Sequence, residues 1–457
     1  MWKLPRNQAL IDQLIVLELV STGIASQVPG SVLENPDAAR SAAVASIAQL
    51  LSDTAVPVSA ETEVGPARLL GDSPDFPPAY HALTLAMLSR LAGLIGFAPA
   101  VEELVRSRLA AAVNAAALVV APDGDFAYSG RSPQEAWVLA MLIAGARQSM
   151  ADCTTVCPAS GAASRLETLA LARLKSLHLD RKWGIRLVPS QAAGIRHISR
   201  SFDPYVSASA YTGLTLLGLT WAESAARPAA AEWTQPHAVA IGAARGGLGV
   251  TGSADTWFAV RSGSFYVDQR LASGLVAAKA LVHGKWVNIV VAPPGRLVAS
   301  NLFGVLVFDS GGFGAMTGPR VSVSGSGLKL EGSLFGSLGQ PVIGSGVGRV
   351  TYEPVPCGVR MTAGPQPGVA VGLAFAVPTD RLRKAARGAL DWGQGMVTPG
   401  AGMSLRWEAA GPTGAAPDTS RVLAEAKPGA SSRLAVTVRA KGCSEVLAAG
   451  SVNRHRL

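Results

Sequence analysis

The segment Asp123-Gly-Asp-Phe-Ala-Tyr-Ser-Gly-Arg-Ser-Pro-Gln-Glu-Ala-Trp137 holds the densest set of groups able to do chemistry in this 457-residue chain. A loop with two carboxylates leads to Tyr128, Arg131, Gln134 and Glu135 at the start of a helical pattern. A tyrosine phenol ordinarily titrates near about 10, so it accepts a proton only where a cation steadies the phenolate. Arg131, three residues on, is placed to do that. The same guanidinium matches a substrate carboxylate in bidentate fashion. Tyr128 is therefore expected to transfer a proton, with Arg131 or Gln134 neutralising the carboxylate. The structural alternative is that Tyr128 and Arg131 only cap and anchor the loop.

A second set of candidates sits at helix mouths. Ala79-Tyr-His-Ala-Leu-Thr-Leu-Ala-Met-Leu88 recurs as Ala210-Tyr-Thr-Gly-Leu-Thr-Leu-Leu-Gly-Leu219, each after a proline-containing turn, and Ala136-Trp-Val-Leu-Ala-Met-Leu142 opens in the same way. Such repeats suggest stacked helix hairpins whose aromatic openings gather at one end. Tyr80 is expected to line the resulting cleft, with His81 or Tyr211 as second proton-transfer group. Neighbouring residues on a helix diverge by about 100°, so Tyr80 and His81 do not both point inward. Farther on, Arg196-His-Ile-Ser-Arg200 and Tyr205 offer His197, Arg200 and Tyr205 as contacts for an acidic sugar. Trp137, Trp183 and Trp221 either stack on sugar faces or pack as core.

These groups must be held by two different textures of chain. Helical spacing of apolar residues runs through Ala38–Leu51, Ala82–Ile95, Val101–Val120, Gln134–Ala146, Ser164–Leu177 and Ala210–Ala226. Past Pro236 come short alternating or β-branched runs: Thr256–Arg261, Trp286–Val291, Gly304–Phe308, Arg320–Ser324, Gly368–Gly372, Met403–Trp407 and Leu434–Val438. Glycine-rich turns separate them, as in antiparallel sheets; Arg381–Leu390 reads as one short helix. Helices first and strands afterwards predict two units, an α-helical domain over 1–235 and a β-sandwich over 236–457, and not a βαβ weave.

Charge divides at the same place. Residues 1–235 carry 18 Lys/Arg against 20 Asp/Glu, and residues 236–457 carry 22 against 11. A basic second half favours polyanionic partners, although it also serves solubility. Nucleic acid is not expected, because the basic residues are dispersed between strands without a basic helix or aromatic motif. No G-x-S-x-G elbow, phosphate-cradling loop or H-E-x-x-H occurs. No cofactor is expected; a divalent cation replacing the neutralising side chain is the one alternative. No segment reads as a transmembrane span or a signal peptide. The cysteines Cys153, Cys157, Cys357 and Cys443 fit two disulfides, one per half, or four structural thiols. Nothing in the sequence sets the oligomeric state.

A helical array followed by a β-sandwich, with Asp123-Gly-Asp-Phe126 leading into Tyr128-Ser-Gly130, resembles the (α/α)-toroid polysaccharide lyases: the chondroitin AC/hyaluronate lyases and heparinase II/III-like enzymes. The family's His between those two elements is missing here, and Tyr128 stands almost in its place. The resemblance implies an N-terminal (α/α) toroid and β-elimination on a uronic-acid-containing acidic polysaccharide. It also implies a secreted or cell-surface location, or a cytoplasmic one if Met1 is the true start. Two other readings use the same scaffold. One is a non-catalytic glycan-binding protein. The other is a toroid glycoside hydrolase drawing a carboxylate pair from Asp72, Asp75, Asp123, Asp125 and Glu135, set roughly 6.5–9.5 Å apart for inversion.

Overall fold

A computed structural model of the chain describes residues 6–24, 35–52, 59–62, 65–70, 78–95, 98–128, 135–150, 160–180, 184–187, 208–225, 232–241, 247–262, 265–266, 269–270, 273–291, 304–309, 312–335, 347–364, 370–378, 382–409, 419–426 and 434–443. Seven α-helices fall among them: α1 (Arg6–Ser21), α2 (Pro36–Ser52), α3 (Pro78–Ala92), α4 (Pro99–Val119), α5 (Ala136–Gln148), α6 (Ser160–Leu177) and α7 (Ala208–Glu223). Proline opens α2, α3 and α4, where its missing N–H costs nothing and its fixed φ already suits a helix.

The helices form two rows. The front row runs α1, α3, α5, α7, and α2, α4 and α6 stand behind it, each against its sequence neighbour. α5 is the centre of the front row, and every residue from Ala136 to Ala146 is buried. Such all-round burial calls for an all-round apolar helix, which Ala-Trp-Val-Leu-Ala-Met-Leu-Ile-Ala-Gly-Ala supplies. Small residues bring α7 in close: a Cβ at Gly218 would lie 2.9 Å from the Ala140 carbonyl carbon. Two short hairpins interrupt the helical half, β1 (Ser59–Thr62) with β2 (Gly65–Arg68) and β3 (Leu179–Asp180) with β4 (Gly184–Ile185). They lack a long alternating run, so the sequence pattern does not mark them.

After α7 the described elements are antiparallel strands. β5 (Ala238–Ile241), β6 (Gly247–Gly252), β7 (Thr256–Ser262), β10 (Gly274–Val282) and β11 (Lys285–Val290) form a five-stranded sheet in the order β11-β10-β7-β6-β5. A small hairpin of β8 (Phe265–Tyr266) and β9 (Gln269–Arg270) lies between β7 and β10 in sequence. Twelve further strands between Gly304 and Ala440 make a second sheet. The stretch expected as a short helix, Arg381–Leu390, holds instead a two-residue strand, Arg383–Lys384, and one 3-10 turn, Ala386–Gly388.

The five-stranded sheet is buried on both faces. Side chains alternate across a strand, so Trp257 and Ala259 of β7 join the helical core while Phe258 and Val260 join the core shared with the twelve-stranded sheet. A bulge at Val276 in β10 turns Val276 and Ala277 both toward the helices. Beyond it the alternation resumes, Ala278 and Ala280 entering the intersheet core. The molecule thus stacks helices, a middle sheet and an outer sheet, with apolar side chains filling both gaps. Cys357 and Cys443 are joined as a disulfide in the sheet region; Cys153 and Cys157 lie outside the described residues. No described helix is long and apolar enough to cross a membrane.

Candidate functional site

The Asp123-Gly-Asp125 loop links α4 toward α5, and it meets the middle sheet. Gly124 has φ +81°, a left-handed backbone in which a side chain would press on the Leu169 carbonyl of α6 and lie 2.8 Å from Arg173 Cβ. The turn aims both carboxylates at Lys279 of β10, whose Nζ donates to Asp123 Oδ2 at 3.0 Å, Asp125 Oδ2 at 3.0 Å and Asn288 Oδ1 at 2.5 Å. Lys279 is 1 % exposed. Arg173 of α6 adds a 2.7 Å bond to Asp123 and stands 3.7 Å from Asp125. Burial raises the Asp123 pKa, but attraction from Lys279 and Arg173 outweighs it and holds the carboxyl below its ordinary range. This network fastens helices to sheet. It also commits Asp123 and Asp125 to cations, which removes them from the carboxylate pair a hydrolase would need; Asp72 and Asp75 lie outside the described residues.

Tyr128 closes the same loop from inside the core. Its hydroxyl donates to the Val119 carbonyl at 3.1 Å, and its ring meets Trp257 of β7 edge-on at 5.2 Å between centroids. Burial, with the charge of Asp125, pushes its pKa well above the ordinary value. That is the opposite of the lowering expected from Arg131, and it corrects the expectation that Tyr128 stands ready to exchange a proton: its phenol is held protonated as an anchor. His81 is likewise enclosed. Leu70 N–H donates to Nδ1 at 2.7 Å, which leaves Nε2–H to donate to the Ala112 carbonyl at 3.1 Å. Burial, against two backbone bonds that raise it, lowers the pKa to about 4. The imidazole ties α3 to α4 and to the chain after β2, and this corrects the expectation of a cleft-facing base. Asn114 bonds the Pro66 carbonyl at 3.1 Å, a structural task in the same corner.

The helix mouths converge, but Trp137 and Tyr211 are buried there too, which corrects the expectation of Tyr211 as a cleft-facing proton-transfer group. Tyr80 of α3 approaches Trp137 of α5 edge-on at 6.3 Å, and Tyr211 of α7 stacks parallel to Trp137 at 6.3 Å, 4° apart in plane. Three repeats of the front row therefore share one aromatic group, as the repeated sequence openings suggest. Trp137 is fixed by its own helix start, where its indole N–H donates to the Glu135 carboxylate. Arg131 and Gln134, immediately before Glu135, and His197, Arg200 and Tyr205 lie outside the described residues.

On the other side of Glu135 is a small pocket lined by Asp125, Phe126, Glu135, Leu139, Arg173 and His178. His178 follows α6, and its Nδ1 lies 2.8 Å from the Arg186 carbonyl. A carbonyl only accepts, so Nδ1 carries the proton and Nε2 keeps its lone pair. Burial, chiefly, lowers the His178 pKa to about 4, so the ring is neutral near pH 7. Glu135 thus joins two features: an aromatic group across three helix mouths, and a pocket with a carboxylate, a guanidinium and a neutral imidazole. Sequence reading missed His178, which stands in Ser-Leu-His-Leu-Asp with no motif around it. The available signal was a lone polar residue ending an amphipathic helix.

No family model matches this sequence, and no curated protein matches it. Among solved structures the chain is similar to polysaccharide lyases. A heparinase III matches with a TM-score of 0.36 at 13% identity, covering 93% of this chain and 67% of that one. Streptomyces coelicolor A3 chondroitin AC lyase, solved in complex with chondroitin sulphate, matches at 0.34 and 13% identity over 97% of this chain and 68% of that one. Heparan sulfate lyase HepC from Pedobacter heparinus matches at 0.34 and 10% identity over 94% and 68% respectively. The chain thus spans about two thirds of the length of these proteins, and at such scores no residue correspondence is drawn between them.

Proposed function

We propose that this protein is a polysaccharide lyase acting by β-elimination on a uronic-acid-containing polymer. In this reading the front row of helices is part of an (α/α) toroid, residues 1–235 and 236–457 are its helical and β-sandwich domains, and the protein works outside the cell. The observation that carries the proposal is the convergence of Tyr80, Trp137 and Tyr211 from three separate helix mouths, where the buried Trp137 and Tyr211 support the half-buried Tyr80 at the edge. Aromatic faces bind the apolar faces of sugar rings, and tyrosine hydroxyls supply polar contacts at their rim. Shortly before Trp137 in the sequence stand Arg131 and Gln134, the types of group that neutralise a uronate carboxylate. The excess of basic residues in the second half favours an acidic polymer.

Elimination removes the proton next to the carboxylate and returns one to the leaving oxygen. Tyr128, His81 and Tyr211 are all buried, so Tyr80, the half-buried tyrosine of the group, lines the cleft and takes the proton-transferring role at the mouths. His197, Arg200 and Tyr205 extend the contacts along the polymer. A tyrosine there needs a nearby cation to act as base, and Arg131 remains the candidate. The test is incubation with a panel of acidic polysaccharides, followed by the ultraviolet absorbance of the unsaturated uronate that elimination creates. A rise supports the proposal. New reducing ends without it would favour hydrolysis, and binding with neither would favour a glycan-binding role.

A further inference from the structure

Away from the helix mouths, three turns meet at one end of the two sheets. Cys357 lies in the turn between strands Val347–Val355 and Gly358–Ala363, with φ +52°. Cys443 follows strand Leu434–Ala440. Asp255 lies in the turn before β7. Its Oδ1 accepts from Ser253 Oγ at 2.9 Å and Thr256 Oγ1 at 3.1 Å. Its Oδ2 accepts the Cys357 backbone N–H at 3.1 Å and lies 3.4 Å from Cys357 Sγ. One carboxylate oxygen and both sulfurs lie within 4.8 Å of one another.

We propose that this disulfide masks a metal site: reduced Cys357 and Cys443, together with Asp255, bind one zinc-class divalent cation. Tetrahedral zinc with Zn–S near 2.3 Å and Zn–O near 2.1 Å sets sulfur and oxygen about 3.6 Å apart and the two sulfurs about 3.8 Å apart. The observed sulfur–oxygen distance of 3.4 Å is already close to the first value. Breaking the S–S bond is what frees the sulfurs to reach the second. A disulfide has no S–H to give the carboxylate, whereas thiolates and a carboxylate together suit a dication. The hydroxyls of Ser253 and Thr256 fix that carboxylate in the way outer partners orient metal ligands.

The fourth position of the tetrahedron is left to a solvent oxygen. Reduction by a dithiol proceeds by thiolate attack on one sulfur, then closure of the dithiol's own disulfide. Two electrons and two protons pass to Cys357 and Cys443, and the metal displaces the two thiol protons. The site would be a cross-link in an oxidising compartment and a metal centre in a reducing one.

The test uses the full chain with Cys153→Ser and Cys157→Ser, so that only this pair is titrated. Oxidised protein, and protein reduced with dithiothreitol and desalted without air, are each titrated with cobalt(II). The expected result is one equivalent bound by the reduced form alone, with sulfur-to-cobalt charge-transfer absorption and the visible bands of tetrahedral cobalt, displaced by zinc. Asp255→Asn is expected to weaken binding by at least about 10- to 100-fold, the loss that removing even an outer partner of a metal ligand causes, and Asp255→Glu, which keeps a carboxylate, less. Equal uptake by both redox forms, or binding by the reduced form that Asp255→Asn and Cys443→Ser leave unchanged, would overturn the proposal. Thermal melts of each variant separate lost binding from lost folding.

Discussion

Lys279→Met is the sharpest test of how the helices are held to the sheets. The ammonium is 1 % exposed and donates to Asp123, Asp125 and Asn288. Methionine fills nearly the same volume, so the cavity contribution is small and the change isolates the charge. Removing one partner of a buried ionic network leaves the other uncompensated, at a cost of about 3–5 kcal/mol. Arg173 stays bonded to Asp123, which places the expectation at the lower end. The pH dependence gives a second handle. In the native protein Asp123 titrates below its ordinary range because Lys279 and Arg173 outweigh its desolvation. Its contribution to stability is therefore present above the unfolded pKa of about 4 and is lost as pH falls through the lower folded value. Without Lys279 the desolvation gains weight and the folded pKa rises. The deficit of the variant should be largest at neutral pH and shrink toward pH 4. Equilibrium denaturation of both proteins at the two pH values measures it. A loss under about 1 kcal/mol at neutral pH, the ordinary value of an exposed pair, would refute the reasoning, as would a deficit independent of pH.

Gly124→Ala should destabilise by about 1–3 kcal/mol, since the residue is left-handed at φ +81° and abuts the α6 backbone; denaturant titration reads it. His81 and His178 both have pKa values lowered to about 4. Between about pH 6.5 and 4 the unfolded chain binds protons that the native chain refuses, so stability should fall as pH drops through that window. His81→Gln should flatten that slope in thermal melts taken across it. Tyr80→Ala should weaken acidic polysaccharide binding by at least about tenfold if its ring carries the sugar contact, measured by calorimetry. Tyr80→Phe should instead leave binding nearly intact and lower turnover about 10²–10⁴-fold.

How much of this was legible depended on the range of the interactions. Helices α2 to α7 and strands such as β7 announce themselves by local periodicity, which is why Ala82–Ile95 and Thr256–Arg261 were found close to their bounds. The repeated Tyr-led openings also told the truth about the front row, because repetition at helix mouths is a local pattern with a global consequence. The Asp123-Gly-Asp125 loop misled, since its partner Lys279 is more than 150 residues away and only the fold joins them. A clue was present: Lys279 is the lone charge in Gly-Leu-Val-Ala-Ala-Lys-Ala-Leu-Val, and a charge in the buried part of a strand requires a counter-charge. Tyr128 looked catalytic because a phenol near an arginine is chemically suggestive. Its true environment is set by Val119 and Trp257, contacts that sequence proximity to Arg131 does not reveal. His178 was invisible because its tautomer depends on a carbonyl presented by a two-residue hairpin.

The measurement closest to the central claim is the mass of the products released from an acidic polysaccharide in heavy-oxygen water. Elimination breaks the C–O bond without adding water. A new non-reducing end lighter than the hydrolysed sugar by one water is therefore expected, with no heavy oxygen incorporated at the cleaved bond. Products of full hydrolytic mass carrying the label, or no products from any uronate polymer, would contradict it.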